Sequence, residues 1–232
     1  MTRSTPAGAG SAKKRGPYLT PKTVAVQPMV DVIRHHRIVS ELSLGYVLQA
    51  IGFFRSDRSE KFRPSDVAKF ARRHGLNYTT TVPRYVTTAG GAAGANLVHN
   101  ARHEAAVCAV ELLIRFVAGL DVIDWDHQRR RGKHLADLYV ENATGITTAV
   151  EIELTRKDNT RLREIARSHH EQVARGDYDR VLYLTDAANI HRAVTEHGSV
   201  LGQRLTIIDL NEFLVRELGR KGVLVVNSKV VV

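Results

Sequence analysis

Cysteine is almost absent from this sequence, which has Cys108 alone. One cysteine cannot form a disulfide within the chain, so the composition gives no indication of an oxidising compartment, and we expect Cys108 to be a buried structural residue. No apolar run approaches the roughly 18 residues that a membrane-spanning helix needs. The N-terminus is charged and has no apolar segment of the kind found in secretory signals. These absences predict a cytoplasmic protein with no membrane partner.

Acidic residues are scarce in the first part of the chain. Residues 1–98 contain 15 Lys and Arg against 5 Asp and Glu, whereas residues 99–232 contain 19 of each. The net charge of +10 therefore comes entirely from the first 98 residues. A charge excess confined to one part of a chain usually meets a polyanion. We therefore predict that the N-terminal part binds DNA.

The first 24 residues are predicted to be a disordered basic tail. They combine Gly, Ala, Ser, Thr and Pro with basic residues and no acid, and they cannot bury enough apolar surface to offset the entropy of ordering. The basic run Lys13, Lys14 and Arg15 resembles an arm that enters the DNA minor groove. A solvated tail is the alternative interpretation.

Residues 25–90 are predicted to form a winged-helix-like DNA-binding domain. Apolar residues at helical spacing over 28–53 indicate two short helices with a break near Ser43–Gly45. A third helix is expected to begin with Ser65 as its N-cap and to end at Gly75. The β-branched and aromatic residues of 77–88 then indicate a hairpin. Three helices followed by a hairpin are the element order of a winged helix.

Basic side chains of this domain are the predicted phosphate contacts, because cations on a DNA-facing surface fix the position of the protein on the duplex. A solvated surface is the alternative for them. The predicted contacts are Lys69, Arg72, Arg73 and Arg84. A Gly- and Ala-rich linker over 89–95 is expected to follow.

Residues 96–232 are predicted to form an α/β domain with a mixed sheet flanked by helices. Hydrophobic periodicity and turn residues give the order of its elements. The predicted helices are 99–116, 158–175, 189–197 and 211–218, and the predicted strands are 120–125, 134–141, 147–155, 179–185, 205–209 and 223–227.

A pair of acids on one predicted strand carries the chemistry. Glu151 and Glu153 are two residues apart, so their side chains point to the same face of the strand, opposite the apolar residues. Two neighbouring carboxylates repel unless a cation or solvent separates them. If the preceding strand forms a hairpin with this one, Asp137 joins them and three oxygen ligands can bind Mg²⁺ or Mn²⁺. Such an ion activates water and neutralises phosphate charge.

Two groups of cations accompany this predicted site. Lys157 follows Glu153 by four residues and is a candidate for stabilising charge in a transition state. A basic turn is expected to bring further phosphate-binding residues beside Asp137; these are Arg129, Arg130, Arg131 and Lys133. Solvent-facing glutamates and a solvated turn are the alternatives. The pairs His35–His36 and His169–His170 are interpreted as surface or DNA-facing, because adjacent histidines rarely bind one metal ion.

The order helix, three strands, helix, strand, with an acid on the second strand and E-x-E on the third, resembles the core of PD-(D/E)XK nucleases over about residues 98–185. The resemblance implies Asp137, Glu151 and Glu153 as metal ligands of a restriction-endonuclease-like fold. The chain departs from the motif at two positions, because Glu153 stands where a lysine is usual and Ala136 where a proline is usual. Some restriction endonucleases share the first replacement, whereas other members of the superfamily are inactive.

The whole arrangement, over residues 28–215, is similar to the replication-relaxation family of plasmid and mobile-element proteins. This resemblance implies a role in plasmid replication or transfer. Two functions stay open: metal-dependent hydrolysis of DNA phosphodiesters, and DNA binding without catalysis on the same fold. The sequence leaves the oligomeric state open, a homodimer included.

Overall fold

A computed structural model describes residues 26–54, 62–80, 82–88, 95–123 and 134–220. The N-terminal elements are α1 (Val26–His36), β1 (Ile38–Ser40), α2 (Glu41–Ala50), α3 (Pro64–Arg73), β2 (Asn77–Tyr78) and β3 (Tyr85–Thr87). The three strands form an antiparallel sheet in the order β1-β3-β2. Three helices with a small sheet of this order form a winged-helix-like arrangement, as predicted.

The break between α1 and α2 differs from the prediction. It lies at Arg37 and β1 rather than near Ser43–Gly45, which is inside α2. Arg37 has a positive φ of 68°, which ends α1, and the β-branched residues after it pair with β3. The side chain of Ser40 accepts a hydrogen bond from the backbone N–H of Ser43 and so caps the start of α2. The apolar residues of the sequence continue across this corner because all three residues of β1 are also buried.

The start of α3 differs from the prediction by two positions. Arg63 is the N-cap, and Pro64 occupies the first helical position, so Ser65 lies within the helix. Proline suits that position because its fixed φ is helical and its missing N–H has no partner there in any case. The predicted end is confirmed, with Arg72 and Arg73 in the last turn and Gly75 at φ +66°.

The C-terminal half is a mixed sheet flanked by helices, as predicted. Its helices are α4 (Ala95–Leu113), which continues as a π-helical turn (Ile114–Ala118), α5 (Asn159–Arg175), α6 (Ala188–His197), a 3₁₀ segment (Ser199–Arg204) and α7 (Leu210–Arg220). Its strands are β4 (Asp121–Val122), β5 (Leu138–Glu141), β6 (Thr147–Glu153), β7 (Arg180–Thr185) and β8 (Leu205–Asp209), in the order β4-β5-β6-β7-β8. Pairing is antiparallel from β4 to β6 and parallel from β6 to β8.

The sheet separates two apolar clusters. Val150 and Ile152 of β6 point towards α4 and α7, in a core that continues into α1, α2 and α3. Ala149 of the same strand points to the other face, where α5 and α6 pack. Cys108 is buried in the first cluster, as predicted. Since α4 packs against α1, α2 and β1, apolar contacts join the N-terminal and C-terminal elements.

Several predictions fall outside the described residues. They concern the basic tail over 1–24, most of the linker over 89–95, the basic turn over 129–133 and the strand over 223–227. Among the helices that the structure describes, none combines the length and the apolarity that crossing a membrane requires.

Candidate metal centre

Three polar side chains from separate elements meet on the α5 face of the sheet. Glu151 belongs to β6, His169 belongs to α5, and His134 lies four residues before β5. The Nε2 atoms of His134 and His169 lie 2.8 and 3.0 Å from Oε1 of Glu151. One ligand atom of each residue lies within 4.8 Å of the other two. We call His134, Glu151 and His169 the His–Glu–His cluster.

The position of His169 follows from the register of α5. Asp158 caps this helix through a hydrogen bond to the backbone N–H of Arg161, and Gly176 ends it in the left-handed conformation, both as predicted. His169 therefore faces the sheet with Ile165 and Val173, and its side chain is fully buried. This places an imidazole where an apolar residue would otherwise pack.

The His169 ring has three ring neighbours at near-perpendicular angles, and its two nitrogens have different environments. Nδ1 shares a hydrogen bond of 2.5 Å with the Tyr178 hydroxyl. Nε2 is buried and makes no hydrogen bond of acceptable geometry, although Oε1 of Glu151 is 3.0 Å away. A buried polar atom without a hydrogen bond is costly unless something else satisfies it. The ring edges of His134 and Tyr183 complete the surroundings.

The charge of Glu151 is stabilised locally. Burial raises the pKa of this carboxyl, but the hydrogen bond with His134 and the proximity of His169 outweigh burial and lower the pKa to about 2. Glu151 is therefore an anion at every physiological pH. A buried anion with two imidazole nitrogens around one oxygen is a donor set for a divalent cation. The His–Glu–His cluster can hold a metal ion.

Asp137 lies beside the cluster rather than in it. It precedes β5, because that strand begins at Leu138 and not at the predicted His134. Its Oδ2 accepts a hydrogen bond of 2.7 Å from the backbone N–H of Ile152, which places it against β6 between the two glutamates. Oδ2 also lies 3.4 Å from Nε2 of His103 on α4. Burial raises the pKa of Asp137, whereas His103 opposes that increase.

Glu153 and Lys157 form an ion pair at the end of β6. The glutamate is buried and the lysine is partly exposed. Burial lowers the pKa of Lys157, while the charges of Glu151 and Asp137 raise it. Lys157 therefore lies within electrostatic reach of all three acids that the sequence singled out.

The structure agrees with part of the sequence-based site. Glu151 and Glu153 share the face opposite Val150 and Ile152, as the alternation predicts. The solvent-facing alternative is wrong, because the two glutamates are only 6% and 4% exposed. Asp137 and Glu153 are not in the group whose ligand atoms lie within 4.8 Å of one another.

The two histidines of the cluster were missed by sequence reasoning. The prediction that His169 faces the surface or DNA is wrong, since its side chain is fully buried. A signal existed, because Leu162, Ile165 and His169 continue one helical face towards Val173. His134 carried no comparable signal, since only tertiary structure brings it to Glu151.

Three of the predicted phosphate contacts that the structure describes lie on α3, and Arg84 lies immediately before β3. Arg72 and Arg73 are exposed and make no ion pair with the described residues. Lys69 is 74% exposed, with Asp66 at 3.7 Å. Arg84 lies 3.7 Å from Glu41, so part of its charge is compensated within the protein. Lys13, Lys14, Arg15, Arg129, Arg130, Arg131 and Lys133 lie outside the described residues.

Neither a scan against protein-family models nor a search of curated proteins returns a match to this chain.

Proposed function

We propose that this protein binds DNA through its N-terminal half and hydrolyses DNA phosphodiesters at a metal centre built on β6. The observation that carries the proposal is the enclosed carboxylate of Glu151. It has two imidazoles at one oxygen, Glu153 lies two residues further along the same strand, and Asp137 accepts a hydrogen bond from the backbone N–H of Ile152 between them. The element order, which resembles that of PD-(D/E)XK nucleases, supports the same conclusion.

The proposed DNA-binding surface lies on the winged-helix-like half. Support comes from the charge excess of residues 1–98 and from Arg72 and Arg73, which project from the last turn of α3 without ion-pair partners among the described residues. Exposed arginines without acidic partners are available for phosphate oxygens. The proposed contacts are mainly to the DNA backbone, so the affinity depends strongly on salt.

The side chains around Glu151 have separate roles in the proposed reaction. A bound ion supplies an activated water and neutralises charge on the phosphate. Glu151 holds the ion, and Asp137 orients the end of β6 through its bond to the backbone N–H of Ile152. Lys157 stabilises negative charge on the phosphate when it leaves Glu153. Carboxylates alone would select Mg²⁺ or Mn²⁺; the two imidazoles favour a different ion.

Supercoiled plasmid incubated with Mg²⁺, Mn²⁺ or Zn²⁺ tests the proposal. We expect nicking or linearisation by the wild type, and loss of it in Glu151→Gln and Asp137→Asn. Glu164→Gln is the matched control, since Glu164 is an exposed glutamate on α5, and it should cleave like the wild type. Absence of cleavage with every ion, or equal cleavage by the site variants, contradicts a nuclease.

A DNA-binding protein without catalysis is the second candidate. The observation that favours it is enclosure: Glu151, Glu153 and His169 are nearly or fully inaccessible, as in metal sites that stabilise a fold. In this case Glu151→Gln keeps its affinity for DNA, whereas Arg72→Ala lowers that affinity. The resemblance to plasmid and mobile-element proteins supports an accessory role in replication or transfer for either candidate.

A further inference from the structure

We propose that the His–Glu–His cluster is a binding site for Zn²⁺ and that it rejects Mg²⁺. The inference concerns the same site as the proposed function, but it does not require that the protein cleave DNA. It departs from the ion expected for a site made only of carboxylates.

The donor set selects the ion. Mg²⁺ prefers oxygen ligands in an octahedron and usually retains several waters. Zn²⁺ accepts imidazole nitrogens and carboxylate oxygens in a tetrahedron, and two histidines with one glutamate are a known set of three protein ligands for it. His134 and His169 each direct Nε2 towards Oε1 of Glu151, so two of the three donors are nitrogen.

Burial of the site also favours Zn²⁺ over Mg²⁺. The side chain of His169 is fully buried, and those of Glu151 and His134 are 8% and 16% exposed. A cation that keeps a shell of waters does not fit so enclosed a place, whereas Zn²⁺ needs one position beyond its three protein ligands. That position remains for water or a further ligand.

The neighbours of the two histidines are those of oriented metal ligands. Tyr178 lies 2.5 Å from Nδ1 of His169, and a partner on one ring nitrogen fixes the tautomer and leaves the other nitrogen for the ion. In the zinc-bound form Nδ1–H donates to the Tyr178 hydroxyl oxygen, and the Nε2 lone pair faces the ion. This gives the buried Nε2 of His169 a bond of good geometry, which its contact with Oε1 of Glu151 does not provide.

The backbone next to His134 is held as well. Gln172 donates from Nε2 to the main-chain oxygen of His134 at 3.3 Å, so α5 carries both a ligand and a support for the second ligand.

Calorimetric titration of the tag-free, chelator-treated protein tests the proposal. We expect one Zn²⁺ per chain, no displacement by an equal concentration of Mg²⁺, and a higher Tm with Zn²⁺. His134→Ala should weaken binding by more than about 100-fold, because loss of a group that only supports a ligand already costs about 10- to 100-fold. Tyr178→Phe should weaken Zn²⁺ binding by about 10- to 100-fold, because Tyr178 only supports a ligand.

His170→Ala is the matched control, since His170 follows His169 in sequence but is exposed. It should bind Zn²⁺ like the wild type. Tyr178→Phe keeps the ring that packs in the core, so it serves even if His134→Ala fails to fold. No Zn²⁺ binding, binding unchanged in Tyr178→Phe, or competition by Mg²⁺ at equal concentration would each overturn the proposal. A zinc-binding protein that cleaves no DNA would refute the nuclease alone.

Discussion

The Nε2 atom of His169 lies 3.0 Å from Oε1 of Glu151, which joins α5 to the centre of β6. The contact lies under the helix that crosses between the parallel strands β6 and β7. A right-handed crossover packs its helix onto the sheet, so a side chain on the inner face of α5 must meet β6 or its neighbours. The parallel pairing of β6 and β7 therefore accounts for the contact between His169 and Glu151.

His103 should remain protonated well above neutral pH. The carboxylates of Asp137, at 3.4 Å, and then of Glu104, at 4.0 Å, raise its pKa from 6.5 to about 10, against the effect of burial. A raised histidine pKa means that the charged form persists until the pH passes the new value. In an NMR titration, Asp137→Asn should lower the midpoint of His103 towards 6.5, with a smaller decrease in Glu104→Gln.

Glu164→Gln, at an exposed position on α5, is the control and should leave the His103 midpoint unchanged. A His103 midpoint that does not change in Asp137→Asn would show that Asp137 is not the stabilising partner.

Arg72 and Arg73 should contribute to DNA affinity in a salt-dependent manner. Each phosphate contact adds about 0.9 to the slope of log affinity against log salt. Replacing both arginines with alanine should therefore weaken binding and reduce the slope by about 1.8. Fluorescence anisotropy with a labelled duplex at several salt concentrations measures both quantities.

Arg192→Ala removes an equally exposed arginine from α6 and should leave the slope unchanged. The DNA-binding surface is not on α3 if Arg192→Ala weakens DNA binding as much as the double substitution does.

Glu111 holds α1 and α4 together. Its side chain is fully buried, with Nε2 of His36 at 2.7 Å and Nε of Arg115 at 2.6 Å. Loss of a hydrogen bond to a charged group costs about 1.5–3 kcal/mol. Glu111→Ala should lower the free energy of unfolding by that amount in urea titrations. Glu212→Ala, at an exposed position on α7, should change it by less than about 0.5 kcal/mol.

Gly45 and Gly219 should respond oppositely to replacement by alanine. Both lie in helices, where alanine is favoured over glycine by about 1 kcal/mol. A Cβ at Gly45 would overlap the buried ring of Phe62, whereas a Cβ at Gly219 meets nothing within 4 Å. Gly45→Ala should therefore lower the Tm and Gly219→Ala should raise it slightly in thermal unfolding. A stable Gly45→Ala protein would mean that Phe62 moves aside without cost.

Much of the C-terminal half could be predicted because its local signals are strong. The bounds of α5 follow from Asp158 and Gly176, which act through backbone contacts within a few residues. The predicted break between α1 and α2 lies several residues from the observed one at Arg37, because buried residues on both sides of Arg37 continue the apolar pattern. Ser65 was misassigned because an N-cap preference is weaker than the fixed φ of the adjacent Pro64.

By itself, the sequence determined which residues share a face: Glu151 with Glu153 on β6, and His169 with the apolar residues of α5. Such relationships depend only on the periods of strands and helices. The tertiary structure alone decided that His134 and His169 meet Glu151, while Asp137 bonds to the backbone of β6. Contacts between separate elements depend on strand order and helix packing, and the periodicity of a single strand or helix does not determine these.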